Sequence, residues 1–414
     1  MKVLLVGSGG REHAILDAVV KSPKVSKVFV APGNIGMENL ATLVDISVED
    51  LTGLRDFALN EGIDLCIVGP EIPLVAGIAD LFQASNIPVF GVNQACAQFE
   101  GSKEFTKEFL KKYNIPTAAY LSTESFQEAV EHIGVYGYPM VIKADGLAGG
   151  KGVLLPETPE EAKEALEDIM VKQVFGGKKV VIEEFLSGVE ASILCFVDGK
   201  TIVPMETAKD HKRALEGDKG LNTGGMGTFS PSDIMNPTLE DKIHQNILKP
   251  IIQGFVAEKL DYKGILFIGL MIENNEPKVL EFNVRLGDPE TQVVLPRLET
   301  DFIEIVEKIL AGELDSCPIH WKENHSVCVV LTAQGYPEKY PTGDVITGLD
   351  MVEEEVLIYH AGTARKDGNL VTHGGRVLNV VAMGETMAEA RAKVYANIEK
   401  IQFQGKTYRK DIGY

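Results

Sequence analysis

Four apolar segments in the first hundred residues are each followed by a glycine or proline turn. They read KVLLVG, KVFVAPGN, LCIVGPE and IPVFGV, and a helix is predicted from about Glu12 to Lys21, between the first two. Buried strands that alternate with helices favour a parallel, doubly wound α/β sheet, whose ligands bind at the carboxyl ends of the strands. We therefore expect a binding edge at the turns GSGGREH, APGN and GPE.

Composition restricts the class of protein. A chain of 414 residues is expected to form roughly two to four domains. The net charge of −20 argues against a nucleic-acid partner, because phosphate backbones are bound by basic surfaces. No apolar run reaches the roughly 20 residues that span a bilayer, and the N-terminus turns polar too early for a signal peptide. We expect a cytoplasmic protein without a membrane partner.

The cysteines and isolated histidines do not form a metal-binding pattern. The cysteines have neither C-x-x-C spacing nor nearby histidines at zinc spacing, so most are predicted to be small core residues; they are Cys66, Cys96, Cys195, Cys317 and Cys328. Histidines such as His132, His244 and His320 are expected at the surface or in the core rather than as metal ligands.

The turn GSGGREH departs from a dinucleotide-binding fingerprint. That fingerprint needs a third glycine, where this chain has Glu12, and an acidic residue after the second strand, which here ends in Ala31-Pro32-Gly33. A nicotinamide or flavin dinucleotide is therefore disfavoured. Two interpretations remain open: a glycine turn that binds one phosphate monoester with help from Arg11, or a plain strand-to-helix turn.

The segment EFNVRLGDPETQ, Glu281 to Gln292, reads as a strand with one chemical face. Alternation predicts that Val279, Glu281, Asn283 and Arg285 face one way, and Leu280, Phe282, Val284 and Leu286 the other. Glu281 and Asn283 would supply hard oxygen ligands for Mg²⁺, and Arg285 would stabilise a phosphoryl group in transfer. The alternative is an edge strand whose polar face is simply solvated.

A second motif, YPMVIKADGLAGGKGVLL, places Lys143 at the end of a strand before a loop from Gly146 to Gly152. It is not a Walker A loop, because Asp145 replaces the first glycine, Gly152 replaces the Ser or Thr, and a strand follows. The glycines predict a mobile flap over phosphates, with Lys143 and Lys151 as cations. A structural hairpin is the alternative.

The segment VVIEEFLSGVE ends a strand in Glu183 and Glu184 and places Glu190 after a turn. Backbone groups at such a strand end can bind an adenine edge while a carboxylate binds ribose hydroxyls. Solvated carboxylates at an edge are the alternative.

The segment AKDHKRALEGDKGLNTGGMG carries Asp210, His211, Lys212 and Arg213 before a glycine-rich stretch from Gly220 to Gly227. Two adjacent cations in an acidic protein can clamp an anionic substrate or an acyl phosphate. A solvated charged loop is an equally open interpretation.

Elsewhere the pattern predicts a helix over SKEFTKEFLKKY, a type I′ hairpin turn at Asp198-Gly199, and a β-rich unit from Cys317 onward. Turns at Asp367-Gly368-Asn369 and Gly374-Gly375 and a helix near Met387 to Lys400 belong to that unit.

Together these motifs resemble the ATP-grasp superfamily and, within it, the phosphoribosylamine–glycine ligase family, also called glycinamide ribonucleotide synthetases. The resemblance runs from Met1 to about Gly384 and rests on the following segments: GSGGREH, APGN, GPEIPL, KADGLAGGKGV, DHKR, NTGGMG, EFNVRLGDPETQ, YP and HGGRVL. It implies three parts: an N-terminal α/β domain (1–101), an ATP-grasp domain (102–316) with a flap subdomain near 117–187, and a C-terminal β-rich domain (317–414).

The resemblance also implies an activity. Members join glycine to 5-phosphoribosylamine in purine biosynthesis while ATP becomes ADP and phosphate, and the glycine carboxylate first takes the γ-phosphoryl group to form a glycyl phosphate. ATP as cosubstrate and Mg²⁺ or Mn²⁺ are expected, with small molecules as the partners and a monomer favoured over an oligomer.

The resemblance carries site residues onto this sequence. The catalytic residues would be Arg285, Lys143 and Asp210, and the metal ligands Glu281 and Asn283. Nucleotide binding would involve Lys103, Lys143, Gly149, Gly150, Lys151, Gly152, Glu183, Glu184, Leu186 and Glu190. Substrate binding would involve Gly9, Gly10, Arg11, Glu12, His13, Glu71, Asp210, Lys212, Arg213 and Arg285. One departure is that the preceding strand, ILFIGLMI, offers no further acidic ligand before Glu273, so the number of metal ions stays open.

Three other functions fit these motifs less well. A carboxylase-type ATP-grasp enzyme acting on bicarbonate would not explain GSGGREH together with DHKR. A dinucleotide-dependent oxidoreductase lacks its acidic residue after the second strand. A non-catalytic nucleotide-binding module would not need Glu281, Asn283 and Arg285 on one face.

Overall fold

The N-terminal part is a parallel sheet flanked by helices, as the alternating pattern predicts. The computed structural model describes residues 1–149 and 151–414. The sheet has the strand order β3-β2-β1-β4-β5. Its elements are β1 (Lys2–Gly7), α1 (Gly10–Val20), β2 (Lys27–Pro32), β3 (Thr42–Leu43), α2 (Leu51–Glu61), β4 (Leu65–Val68), α3 (Glu71–Val75), α4 (Ile78–Ala84), β5 (Val89–Phe90) and α5 (Gln94–Gly101). The predicted doubly wound sheet is confirmed, and the short strand β3 was not foreseen.

Helix α1 begins two residues before the predicted start because its own Glu12 caps it. The Gly9 backbone N–H donates to the Glu12 carboxylate at 2.7 Å, which satisfies one of the unpaired donors of the first turn. Gly10 packs so closely that a methyl group there would overlap the side-chain amides of Asn379 and Gln292. The helix start is therefore buried against two later parts of the chain.

The next segment forms an antiparallel sheet with its own core, in the order β6-β9-β7-β8. We call residues 120–184 the flap layer. Its elements and the helix before it are α6 (Lys103–Lys112), β6 (Tyr120–Thr123), α7 (Phe126–Glu131), β7 (Met140–Ala144), β8 (Val153–Leu154), α8 (Pro159–Leu166) and β9 (Val180–Glu184). Met140, Ile142, Leu166 and Ile182 belong to a hydrophobic cluster of this layer alone, so it packs as a unit. Helix α6 confirms the prediction for SKEFTKEFLKKY.

A second antiparallel sheet, in the order β11-β10-β16-β17, carries the E-x-N motif. This part contains β10 (Val189–Val197), β11 (Ile202–Pro204), β12 (Lys209–Asp210), β13 (Arg213–Leu215), β14 (Lys219–Asn222), β15 (Gly227–Ser230), α9 (Pro237–Ile243), α10 (Lys249–Ala257), β16 (Gly264–Glu273), β17 (Glu276–Asn283), α11 (Thr291–Val294) and α12 (Phe302–Ala311). The hairpin between β10 and β11 is confirmed, but its predicted type I′ turn is wrong, since φ is positive at Gly199 and not at Asp198.

Strand β17 departs from simple alternation at one residue. Gly269 pairs with Glu281 and Leu270 with Val279, so Leu280 is the extra residue of a β-bulge. Val279 consequently joins the core that contains Phe282 and Val284, while Leu280 lies with Glu281 on a cavity wall. The predicted faces of Val279 and Leu280 were therefore wrong. The strand also ends at Asn283, sooner than predicted, and Arg285 lies beyond it.

The C-terminal sheet includes two strands, β12 and β15, from the central part of the sequence. Its order is β12-β15-β18-β22-β19, so the Lys209-Asp210 strand lies at its edge. Its other strands are β18 (His325–Thr332), β19 (Leu357–His360) and β22 (Arg376–Gly384). The same part of the chain also contains a separate two-stranded sheet of β20 (Thr363–Lys366) and β21 (Asn369–Thr372), and helix α13 (Met387–Ile398). The predicted turn at Asp367-Gly368 joins β20 to β21, and the predicted closing helix is α13. This β-rich unit is confirmed.

Buried cysteines bear out most of the core prediction. Cys66, Cys96, Cys195 and Cys328 are buried, while Cys317 is partly exposed. Among the described helices, none combines the length and apolar character needed to cross a membrane.

Candidate active site

A cavity of about 720 Å³ lies between the flap layer, strand β17 and the loop that follows β12. Most of the predicted site residues line it, although they come from distant parts of the sequence. They are Glu71, Lys103, Lys143, Gly149, Gly152, Glu183, Glu184, Leu186, Glu190, Asp210, Lys212, Arg213, Glu281, Asn283 and Arg285. The fold thus brings the motifs predicted to bind a metal, a nucleotide and an anion to one cavity.

The turn GSGGREH does not reach this cavity wall. Arg11 donates to the Leu286 carbonyl at 3.2 Å and pairs with Glu12, while the His13 Nδ1 accepts from the His360 backbone N–H at 3.0 Å. Gly9 and Gly10 also lie outside the lining, as does the exposed Lys151. Gly150 lies outside the described residues. A substrate role for the turn, residues 9–13, stays a prediction.

Glu281 is an ionised carboxylate surrounded by cations. Burial would raise its pKa, but Lys212, Lys143, Lys103 and Arg285 together lower it below the ordinary value. Asn283 lies two residues further along the same wall, and its side-chain oxygen accepts from Arg285 at 3.4 Å. One carboxylate and one amide oxygen form a hard donor pair that fits Mg²⁺ or Mn²⁺.

A complete protein cage for a metal is absent from the described residues, where no group of three or more His, Cys, Asp and Glu side chains could hold an ion. Mg²⁺ usually needs only one or two carboxylates and takes its remaining ligands from water and substrate phosphates. The Glu281 and Asn283 pair therefore fits a cation that arrives with a nucleotide.

Lys143 belongs to a buried ionic chain. The Glu183 carboxylate lies 3.0 Å from the Lys143 ammonium and 2.9 Å from that of Lys107, and all three side chains are nearly inaccessible to solvent. Lys143 also donates to the Leu280 carbonyl at 3.2 Å, at the bulge of β17. Burial lowers the pKa of Lys107 to about 8, against the opposing effect of Glu183. These ionic contacts and the bond to Leu280 fix the Lys143 ammonium against strand β17.

Lys107 is a site residue that sequence reasoning missed. It lies in the predicted helix SKEFTKEFLKKY, on the side that faces the flap layer, and it lines the cavity. The sequence signal that could have revealed it is its spacing: Lys107 follows Lys103 by four residues, which places both lysines on one helix face.

Lys103 and the flap loop hold each other in place. The Lys103 backbone N–H donates to the Asp145 carboxylate at 2.5 Å, and its ammonium donates to the Gly146 carbonyl at 2.8 Å. Burial lowers the pKa of Lys103, although Glu281 favours its charged form. The glycine loop therefore begins at the N-terminus of α6, where backbone donors favour anions.

Arg285 lies between two carboxylates. Its guanidinium is 3.1 Å from Glu100 and 3.4 Å from Glu71. Burial raises the pKa of Glu100, while Arg285 and Arg11 overcome burial to lower that of Glu71. Glu100 was not predicted, because a glutamate at a helix end without a recognised motif carries no sequence signal.

Asp210, the first residue of the DHKR loop, and Glu290 form a buried acidic pair. Burial, reinforced by Glu290, raises the pKa of Asp210 well above its ordinary value, and burial also raises that of Glu290. Lys212 pairs with Glu190 at 3.0 Å, and the surrounding carboxylates raise its pKa against the opposing effect of partial burial. Glu290 was not predicted although it lies inside EFNVRLGDPETQ, because strand alternation does not extend into the turn that contains it.

The wall that carries Glu281 and Asn283, with the glycine loop and two antiparallel sheets around the cavity, has the architecture of an ATP-grasp enzyme. The biotin carboxylase domain of 2-oxoglutarate carboxylase from Hydrogenobacter thermophilus shares the fold, with a TM-score of 0.74, 16% identity, and coverage of 98% of this chain and 91% of that one. The chain belongs to the phosphoribosylglycinamide synthetase family. Models of the N, ATP-grasp (A) and C domains of that family match residues 1–100, 101–291 and 326–414.

Full-length relatives agree with this assignment. Phosphoribosylamine--glycine ligase of Caldanaerobacter subterraneus subsp. tengcongensis is 49% identical over all of this chain and 99% of its own length. The crystal structure of phosphoribosylamine--glycine ligase from Thermotoga maritima superimposes with a TM-score of 0.88 at 38% identity, covering 99% of this chain and 100% of that one. The predicted family is confirmed, and carboxylases share only the fold.

Proposed function

We propose that the cavity is the catalytic centre of a ligation that proceeds through a glycyl phosphate. The chain is an ATP-dependent ligase of purine biosynthesis, which joins glycine to 5-phosphoribosylamine and yields glycinamide ribonucleotide, ADP and phosphate. The observation that carries the proposal is the Glu281 carboxylate, kept ionised by four cations that line the same cavity.

Two bond changes make up the proposed route. A carboxylate oxygen of glycine attacks the γ-phosphorus of ATP, and ADP leaves. The neutral amine of phosphoribosylamine then attacks the carbonyl carbon of glycyl phosphate, phosphate leaves with the C–O bonding electrons, and the nitrogen loses one proton. Phosphoryl transfer depends chiefly on positioning and electrostatics, which is the chemistry that Lys103, Lys143 and Arg285 offer here.

Glu281 and Asn283 are the proposed holders of Mg²⁺ or Mn²⁺. A bound divalent cation would neutralise the charge of the ATP phosphates. Protein cations alone already favour the ionised form of Glu281. We propose that this negative charge, beside Asn283, binds the divalent cation that also contacts the phosphates.

The nucleotide is proposed to lie beneath the flap layer. Main-chain groups of Glu183 and Leu186 would bind the adenine edge, since the Glu183 carboxylate is already engaged by Lys107 and Lys143. Glu184 would lie near the adenine and Glu190 would meet the ribose. The loop of Gly149, Gly150, Lys151 and Gly152 would close over the phosphates and exclude water. The carboxylase domain of H. thermophilus was solved with the magnesium salt of ADP, which supports this class of ligand.

The anionic sugar substrate is proposed to meet the loop from Asp210 to Arg213. Lys212 and Arg213, which line the cavity, supply the positive charge that binds an anionic oxygen. Glu71 also lines the cavity and contacts Arg285 at 3.4 Å. The turn of Gly9, Gly10, Arg11, Glu12 and His13 would contribute only if the substrate reaches past the present wall.

Further features are proposals of the same kind. We place the domain limits at 1–101, 102–316 and 317–414, with the flap subdomain near 117–187. A monomer in the cytoplasm is also proposed.

The test measures ADP formed by the purified chain. ADP should accumulate only when Mg²⁺, glycine and phosphoribosylamine are all present, and leaving out any one should abolish it. Because phosphoribosylamine decays, it is generated within the assay. ADP release driven by bicarbonate without the amine would contradict the proposed ligation.

A further inference from the structure

The cavity is covered on one side by a hairpin that has little support of its own. Strands β13 and β14 pair with each other and, within the described chain, with no other strand. Arg213, Asp218 and Asn222 of this hairpin line the cavity. An isolated two-stranded hairpin is at best marginally stable in water, so an anchor from elsewhere must fix its position.

That anchor is Arg409, one of the largest fully buried side chains of the protein at 2% exposure. Its Nη1 donates to the Arg213 carbonyl at 3.1 Å and to the Asp218 carboxylate at 2.8 Å. Its Nε and Nη2 donate to the two oxygens of Asp411 at 2.7 and 2.6 Å. One planar guanidinium therefore joins both ends of the hairpin to the end of the chain.

Two further bonds reinforce this contact. The Asp411 carboxylate accepts from the Gly217 backbone N–H at 2.8 Å, at the hairpin turn. The Lys410 backbone N–H donates to Glu216 at 3.3 Å. Arg409 lowers the pKa of Asp411 to about 2, which keeps the pair ionised at neutral pH. The hairpin is thus held along its length rather than at one point.

We infer that Arg409 is a positioning residue for the phosphate-bearing substrate. It does not line the cavity, but it fixes the backbone of Arg213 and, through it, the adjacent Lys212. The Arg213 side chain lines the cavity and donates to the Gly220 carbonyl of its own hairpin at 3.0 Å, so the hairpin backbone also sets where its guanidinium lies. This inference rests on the proposed function of the loop from Asp210 to Arg213 as the site of phosphoribosylamine.

The test substitutes Arg409→Lys, which keeps the charge and the aliphatic stem but loses the planar fork. We expect the KM for phosphoribosylamine to rise about tenfold or more, with kcat and the KM for ATP within about twofold of the unchanged protein. Tenfold corresponds to about 1.4 kcal/mol of binding free energy. Asp411→Asn, at a side chain that is 30% exposed, should produce the same selective rise to a smaller extent.

Arg391→Lys is the matched control. Arg391 contacts the same chain end, donating to the Gly413 carbonyl at 3.0 Å and stacking on Tyr414, but it makes no contact with the hairpin. It should leave all three parameters unchanged.

Two results would overturn the inference. One is an unchanged KM for phosphoribosylamine in Arg409→Lys. The other is that Arg409→Lys lowers kcat and thermal stability and raises both KM values together, while Asp411→Asn behaves as the unchanged protein. That result would mean that Arg409 has a purely structural role. Neither is confused with failure of the proposed function, which would appear as absent ligation in the unchanged protein.

Discussion

Glu183→Gln removes the one negative charge between two buried ammonium groups. Glu183 is 1% exposed and lies 2.9 Å from Lys107 and 3.0 Å from Lys143. Breaking a buried ion pair by removing one partner costs about 3–5 kcal/mol, because the remaining charge is left uncompensated. The loss should also lower the pKa of Lys107 further, because the carboxylate that favours its charged form is gone. We expect a destabilisation of about 3–5 kcal/mol concentrated in the flap layer.

Glu184→Gln is the control at the next residue. Glu184 pairs with Lys278 at 3.3 Å, and the two side chains are 32% and 43% exposed, so its loss should cost less than about 1 kcal/mol. Urea unfolding gives the overall change, and hydrogen exchange at the amides of β7 and β9 locates it. Equal losses in the two variants, or a loss below about 1 kcal/mol in Glu183→Gln, would refute the assignment of an uncompensated buried charge.

A double substitution separates charge from packing. Lys107→Met combined with Glu183→Gln removes two charges of opposite sign, so the pair should be less destabilised than the sum of the single variants by about 1–3 kcal/mol. Simple additivity would mean that the two side chains do not interact. Since the adenine contacts proposed for Glu183 are main-chain contacts, nucleotide affinity should fall only through Lys143.

Other predictions concern the metal wall and the domain junction. Glu281→Gln should lower kcat by about 100-fold or more, in the range of lost electrostatic stabilisation, while nucleotide binding measured by calorimetry changes far less; exposed Glu273→Gln on the neighbouring strand is the control, and equal rates would contradict the metal assignment. His13 and His360 are buried, and burial lowers their pKa values to about 3 and about 4. These histidines take up protons near pH 6.5 in the unfolded chain but only near pH 4 or below in the folded protein. The free energy of unfolding should therefore fall as the pH drops from about 6.5 towards 4, by about 2 kcal/mol per histidine at pH 5. His211 is buried as well, and its pKa is lowered to about 4. His13→Gln should therefore remove about a third of the total loss when the free energies of unfolding in urea are compared at pH 7 and pH 5, while exposed His244→Gln serves as the control. Identical pH dependence in the two variants would be inconsistent with a buried neutral His13.

Local sequence patterns are enough to predict much of the fold and the residues at the centre of the candidate site. The alternation of apolar strands with glycine turns predicts the parallel sheet. The E-x-N motif and the glycine loop after Lys143 predict two segments that line the same cavity. The faces of Val279 and Leu280 were predicted wrongly, because the bulge depends on how β17 pairs with β16, which alternation within one strand does not contain.

Partners distant in sequence were beyond such reasoning. The contact of Lys107 with Glu183 and that of Arg409 with the hairpin join segments whose proximity depends on the finished tertiary structure. The turn GSGGREH has the composition of an anion site, yet its helix start is occupied by Glu12 and covered by the C-terminal sheet. Composition indicates what backbone donors can bind, and packing decides which group reaches them.

The close approach at Gly10 restricts how this protein can evolve. Three stretches of chain meet there with no room for a methyl group, since Asn379 comes from the C-terminal sheet and Gln292 from the central part. Exchanging one domain for that of a divergent relative would have to preserve both amides and the bare backbone they enclose. The three units should therefore be inherited together, and chimaeras with a junction near residues 292 or 379 should be recovered only when both sides of this contact come from one parent.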